Sequence, residues 1–155
     1  ARQQKRLDVD YVSINNPDRE GRIIVPHTLV YTGLRWHVRA WCEKNQEYRD
    51  FVLSRFRDIP EIMDDSGHGV DGDTQWNTRV TIRVTPDPRL SRQQREVVEV
   101  DYGMENGVLE VSTRGKLVPY ALKLLHIDPN ETLADPTAQQ IIVENRAELL
   151  PWLFG

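Results

Sequence analysis

Residues 5–14 alternate apolar Leu7, Val9 and Tyr11 with Asp8 and Asp10, the period of two that marks a strand with one buried face. Asn15-Asn16-Pro17-Asp18 is a turn cluster. A short apolar run over 22–25 is expected to stop at Pro26, which has no N–H to give to a ladder. Residues 29–31 resume the strand pattern, and Thr32-Gly33 turns the chain. Residues 36–42 alternate again, with Trp36, Val38 and Ala40 opposite His37, Arg39 and Trp41. A polar turn over 43–47 leads into a strand predicted over 49–56, with Phe51 and Leu53 facing inward. Trp36 and Phe51 are expected in the core. Several short strands at regular spacing predict a small β-barrel over residues 1–60.

Residues 61–77 read as an acidic, Gly-rich, solvated linker, with Asp64, Asp65, Asp71 and Asp73 around Gly67, Gly69 and Gly72. The spacing of a calcium loop is not met, so no metal is expected there. From residue 78 strand and helix patterns alternate. Val80, Ile82 and Val84 face inward on a strand that ends at Pro86-Asp87-Pro88. Ser91 with Gln94 three residues on predicts a capped helix reaching Asp101 or Tyr102. A strand over 108–112 and a helix over 116–125 follow, with Pro119 in its first turn. Residues 140–143 read as a strand, and residues 147–154 as a short apolar closing segment. The fold class expected is mixed β and α+β, a small barrel over 1–60 followed by an α+β domain over 78–155.

Composition narrows the function classes. At 39% apolar and 28% charged, the 155 residues suit a soluble globular chain. No run of roughly 18 apolar residues is present to span a membrane, and no signal-like stretch opens the sequence. The single Cys42 excludes an internal disulfide and suits a reducing cytoplasm. The polar, basic start at Ala1 reads as a cut from something longer. Residues 1–60 carry 11 Lys/Arg against 8 Asp/Glu, and residues 61–155 carry 9 against 16, giving +3 and −7. A locally basic part of an acidic chain draws anions.

The chemistry-bearing side chains concentrate in that basic part. His37 and Arg39 share a strand face with Trp41, an arrangement in which cations meet phosphate and a base stacks on the ring. By alternation Arg49 and Arg55 fall on the Phe51 face, with Ser54 opposite, so pattern alone does not gather them into one pocket. Ion pairs of Arg49 and Arg55 with Asp50 or Asp58 are the alternative. His27 stands at the Pro26 break, as a pocket residue or a turn cap. His68, in the linker, is expected to have no role, and His126 ends a helix. No clustered ligands accompany Cys42 to hold zinc.

The segments 24–31 (Ile-Val-Pro-His-Thr-Leu-Val-Tyr), 35–41 (Arg-Trp-His-Val-Arg-Ala-Trp) and 48–56 (Tyr-Arg-Asp-Phe-Val-Leu-Ser-Arg-Phe) together resemble the WYL domain. His37 and Val38 stand where the name-giving motif has Tyr and Leu, a variant similar to repressors of bacterial anti-phage defence operons. Leu90-Ser91 with Gln94-Arg95, and Leu117-Val118-Pro119-Tyr120, resemble the C-terminal extension domain of those regulators. The resemblance implies an SH3/Sm-like barrel, a ferredoxin-like C-terminal domain, and a winged helix-turn-helix ahead of Ala1 that meets operator DNA. It also unites His27, His37, Arg39, Trp41, Arg49, Ser54 and Arg55 as contacts for a nucleotide or single-stranded nucleic-acid effector. A homodimer is expected as well, since the tail Leu149-Leu150-Pro151-Trp152-Leu153-Phe154 is too apolar to be left in water. No catalysis and no cofactor are expected. The other classes weighed are a stand-alone single-stranded nucleic-acid binder and a phosphodiesterase using His27 and His37. Against the enzyme, no Gly-x-Ser-x-Gly turn, phosphate loop or His-Glu-x-x-His helix occurs.

Overall fold

The computed structural model describes residues 1–153, in two compact units, Ala1–Thr74 and Gln75–Gly155.

The first unit contains β1 (Lys5–Tyr11), β2 (Glu20–Tyr31), β3 (Trp36–Cys42), β4 (Glu47–Val52) and β5 (Phe56–Asp65). They form one antiparallel sheet in the order β4-β3-β2-β1-β5. The expected closed barrel is not formed, because β5 pairs with β1 and the sheet stays open with β4 and β5 at its edges. The alternation survives: Val9, Tyr11, Ile24, Val38, Ala40, Cys42 and Phe51 bury one face together.

Four expectations are corrected here. β2 runs straight through Pro26, since its register on β3 shifts between Pro26 and Thr28, and a bulge tolerates a residue without an N–H. The strand expected over 49–56 ends at Val52, and Leu53–Arg55 is a 3₁₀ turn that swings the chain into β5. Trp36 is 51% exposed: it pairs with Tyr31 at the hairpin end, beyond the core, with the two rings 5.3 Å apart. The stretch expected as a solvated linker is structured. Its start completes β5, Val70–Gly72 forms a 3₁₀ turn, and Thr74–Asn77 is a short helix, α1.

The second unit holds β6 (Arg79–Pro86), β7 (Leu109–Arg114) and β8 (Ile141–Val143), an antiparallel sheet in the order β7-β6-β8. Around it lie α2 (Arg92–Asp101), α3 (Val118–Leu124), α4 (Pro136–Gln139) and α5 (Arg146–Leu153). The capping box at Ser91 and Gln94 is formed as the spacing predicts, each side chain bonding the other's backbone N–H. Ile82, Val84, Leu90, Val98, Val118, Leu122, Ile141 and Leu149 make the core. The apolar tail is therefore not left in water: Leu149 is buried, and Trp152 and Leu153 pack against the same core. Trp152 lies so close over Gly115 that a Cβ there would come within 2.4 Å of the ring. Phe154 lies outside the described residues.

Candidate ligand-binding site

The second face of the first sheet carries the chemistry. On β3, His37, Arg39 and Trp41 alternate with the core residues Val38, Ala40 and Cys42, so all three project away from the apolar core. Their partners across the sheet are Val52, Asp50 and Tyr48 on β4, and Val30, Thr28 and Val25 on β2. His27 occupies the extra position of the β2 bulge. Thus His37, Arg39 and Trp41 share one face, as alternation predicts, and His27 meets Arg39 there through the shared Asp73 carboxylate. Tyr48 joins them: its ring meets Trp41 edge-on at 5.1 Å and His27 at 5.7 Å.

That face is covered by the chain's own residues 66–73. The Arg39 guanidinium is fully buried and grips the Asp73 carboxylate with two prongs, Nε to Oδ2 at 2.7 Å and Nη2 to Oδ1 at 3.1 Å. Asp73 is itself only 1% exposed. His27 Nε2 lies 3.0 Å from the same Oδ2, while its Nδ1 lies 2.7 Å from the Thr28 hydroxyl. Asp50 stands farther off, 3.5 Å from Arg39 Nη1. The His68 ring lies parallel on Trp41, with centroids 4.1 Å apart and planes 5° apart. The Tyr48 hydroxyl donates to the Gly69 carbonyl at 2.8 Å. Gly72 allows this close approach, since a Cβ there would sit 2.7 Å from the Tyr48 hydroxyl.

Burial and charge set the protonation states. Burial holds the His27 pKa below the ordinary histidine value, with the Arg39 charge adding to the effect and the Asp73 hydrogen bond opposing it. His27 is therefore neutral at pH 7 and donates from Nε2 to Asp73, leaving Nδ1 to accept from Thr28. Burial also lowers the His37 pKa, with Arg35 and Arg55 acting in the same direction and Asp50 against them. Burial, reinforced by Asp73, raises the Tyr48 pKa, so the phenol stays protonated.

The remaining expected residues lie at the margins. Ser54 and Arg55 sit in the 3₁₀ turn after β4, Ser54 exposed and Arg55 half-buried, with Arg55 near enough to influence His37. Arg49 pairs across the sheet with Ala40 and shares the Phe51 face, so it does not join His37 and Arg39. Its side chain is 45% exposed, 3.7 Å from Glu47. The β4 strand ends before Arg55, so counting by twos through residue 55 does not fix the side on which that arginine lies. Asp73, His68 and Tyr48 were missed by sequence reasoning. The signal that was available is the glycine spacing at 67, 69 and 72, which permits a segment to lie against a sheet as readily as it permits flexibility. Among the described residues, no group of three or more His, Cys, Asp or Glu is placed to hold a metal ion.

Comparison with known proteins now places the chain. Residues 1–60 match the WYL domain, and residues 79–149 match the C-terminal dimerization domain of the BrxR transcriptional regulator. The chain therefore carries a WYL domain followed by a BrxR-type C-terminal dimerization domain. It is 36% identical over 154 residues to the DNA-binding transcriptional repressor CapW of Stenotrophomonas maltophilia, a match covering 98% of this chain and 51% of that protein. CapW of Escherichia coli (strain KTE188) is also 36% identical, with 96% of this chain and 49% of that protein covered. CapW of Pseudomonas aeruginosa is 36% identical, with 92% and 48% covered. The chain thus spans about half the length of these repressors. A solved structure, the proteasome accessory factor PafBC of Arthrobacter aurescens, aligns over 97% of this chain and 24% of that one. Its TM-score of 0.39 at 16% identity is too low to support a conclusion about shape or role. No helix among the described residues is long and apolar enough to cross a membrane.

Proposed function

We propose that this chain is the effector-sensing and dimer-forming part of a cytoplasmic transcriptional repressor, with operator contact made by a DNA-binding segment of the longer protein. The effector is a nucleotide or a short single strand of nucleic acid, taken up on the second face of the first sheet. One observation carries this reading: a histidine, a guanidinium and two aromatic rings converge on a single face where the chain's own carboxylate and a stacked ring already occupy them. The same partners are what a phosphate and a base require. In this reading His37, with Ser54 and Arg55 of the turn that follows β4, extends the contact to a second phosphate or sugar. Dimerisation is assigned to the second unit, which matches a dimerization domain. The apolar tail is no longer a reason for it; Val97 and Val100, exposed on α2, are available apolar surface instead.

The test is thermal unfolding of the 155-residue chain with adenosine 5′-monophosphate and, separately, a hexathymidylate strand, at low and high salt. A bound ligand at 100 times its Kd stabilises the fold by roughly 2.7 kcal/mol, and release of counterions weakens strand binding as salt rises. The expected result is a rise in Tm that shrinks with salt for at least one probe. No shift with either probe at millimolar concentration would overturn the reading. Light scattering at tens of micromolar is expected to give a dimer, and a monomer would overturn that part.

A further inference from the structure

Residues 66–73 satisfy the candidate site in a particular way. The flat His68 ring lies on Trp41 where a base would stack, and the Asp73 carboxylate takes the two-pronged grip of Arg39, with His27 beside it, where a phosphate would bind. We propose that this segment is a built-in occupant of the ligand face, a strap whose ring and carboxylate stand in for the base and phosphate of the effector and must leave for the effector to enter. The proposal rests on the ligand reading above and adds to it the mechanism of regulation. Arg39 is fully buried and Asp73 is 1% exposed, so a ligand cannot reach the guanidinium while the strap is closed.

The strap is built to leave. From Ser66 to Gly72 the one apolar side chain is Val70, which is half-buried, and His68 is exposed apart from its stacked face. Among the contacts that hold the strap are polar ones that water or a ligand can replace: Tyr48 to the Gly69 carbonyl, Ser66 N–H to the Gln4 carbonyl, and the Asp73 pair. Segments with few buried apolar contacts open at low cost. Three glycines within six residues supply the backbone freedom for two arrangements. The end before the strap is fixed by the pairing of β5 with β1. A closed strap also taxes affinity: the observed Kd is the intrinsic one divided by the fraction open.

The measurement is binding of adenosine 5′-monophosphate and of hexathymidylate to the 155-residue chain by calorimetry, in wild type, His68→Ala and Asp73→Asn. Peptide-resolved hydrogen exchange over residues 66–73 is followed with and without each probe. The two probes separate a free nucleotide from a strand as the source of the shared chemistry. The expected result is about tenfold tighter binding in His68→Ala and Asp73→Asn, and faster exchange in the strap of the wild type when a probe binds. His68 is exposed, so its replacement is expected to fold even where Asp73→Asn does not. Wild-type binding with weaker or unchanged affinity in His68→Ala, and strap exchange unaltered or slowed by the probe, would overturn the strap while leaving the ligand site standing. No binding in wild type or in either variant would overturn the ligand reading and the strap with it.

Discussion

Arg39→Ala is the sharpest perturbation of the first unit. Viewed as an exposed strand residue, Arg39 would be dispensable for folding; fully buried against Asp73, it is not. Its removal takes the cationic partner from a carboxylate that is 1% exposed, and the neutral His27 ring at 3.0 Å cannot replace that charge. Breaking a buried pair from one side costs about 3–5 kcal/mol. A unit the size of Ala1–Thr74 has a total stability of roughly 4–11 kcal/mol, so the loss removes about a quarter or more of it. The cost depends on pH. In the wild type the His27 pKa is held below its unfolded value, so its contribution is present above about pH 6.5 and is lost as the pH falls below that. Without the Arg39 charge, which lowers it, the His27 pKa moves up, and a protonated ring becomes the new partner of Asp73. The deficit of Arg39→Ala against wild type is therefore expected to be larger at pH 8 than at pH 5.5. Urea unfolding read by hydrogen exchange in the β3 peptide isolates this unit from the second one. The double replacement Arg39→Met with Asp73→Leu should recover much of the loss, since it leaves no charge buried alone. A loss below about 1 kcal/mol at pH 8, or a deficit that grows on acidification, would refute the reasoning.

Three further outcomes are expected. Wild-type unit one should lose urea resistance between about pH 6.5 and pH 5, because both His27 and His37 have folded pKa values below the unfolded one, and His37→Phe should flatten that loss. Ser91→Ala removes the acceptor for the Gln94 N–H and should cost the second unit about 1 kcal/mol in chemical unfolding. Gly115→Ala drives a Cβ to within 2.4 Å of the Trp152 ring; displacement of that ring should appear as a changed tryptophan emission and a lower Tm.

Local periodicity determined a good part of this protein. The alternation over residues 5–11 and 36–42 placed Val9, Tyr11, Val38 and Ala40 in the core, and the Ser91–Gln94 spacing set the start of α2, because each depends only on neighbours a few residues away. The same counting put His37, Arg39 and Trp41 on one face, and the segments around them carried the WYL resemblance. What lies outside local reach was decided by tertiary structure. Whether β5 closes on β4 or pairs with β1 is a choice between distant edges, and it fixed an open sheet rather than a barrel. Trp36 is exposed because the core ends before its register position, which no alternation reveals. Above all, Asp73 follows a run of glycines and acids that reads as solvated, yet it lies buried 34 residues away from the arginine it neutralises. A charge buried in a sheet must find an opposite charge, and only the path of the folded chain decides which one reaches it.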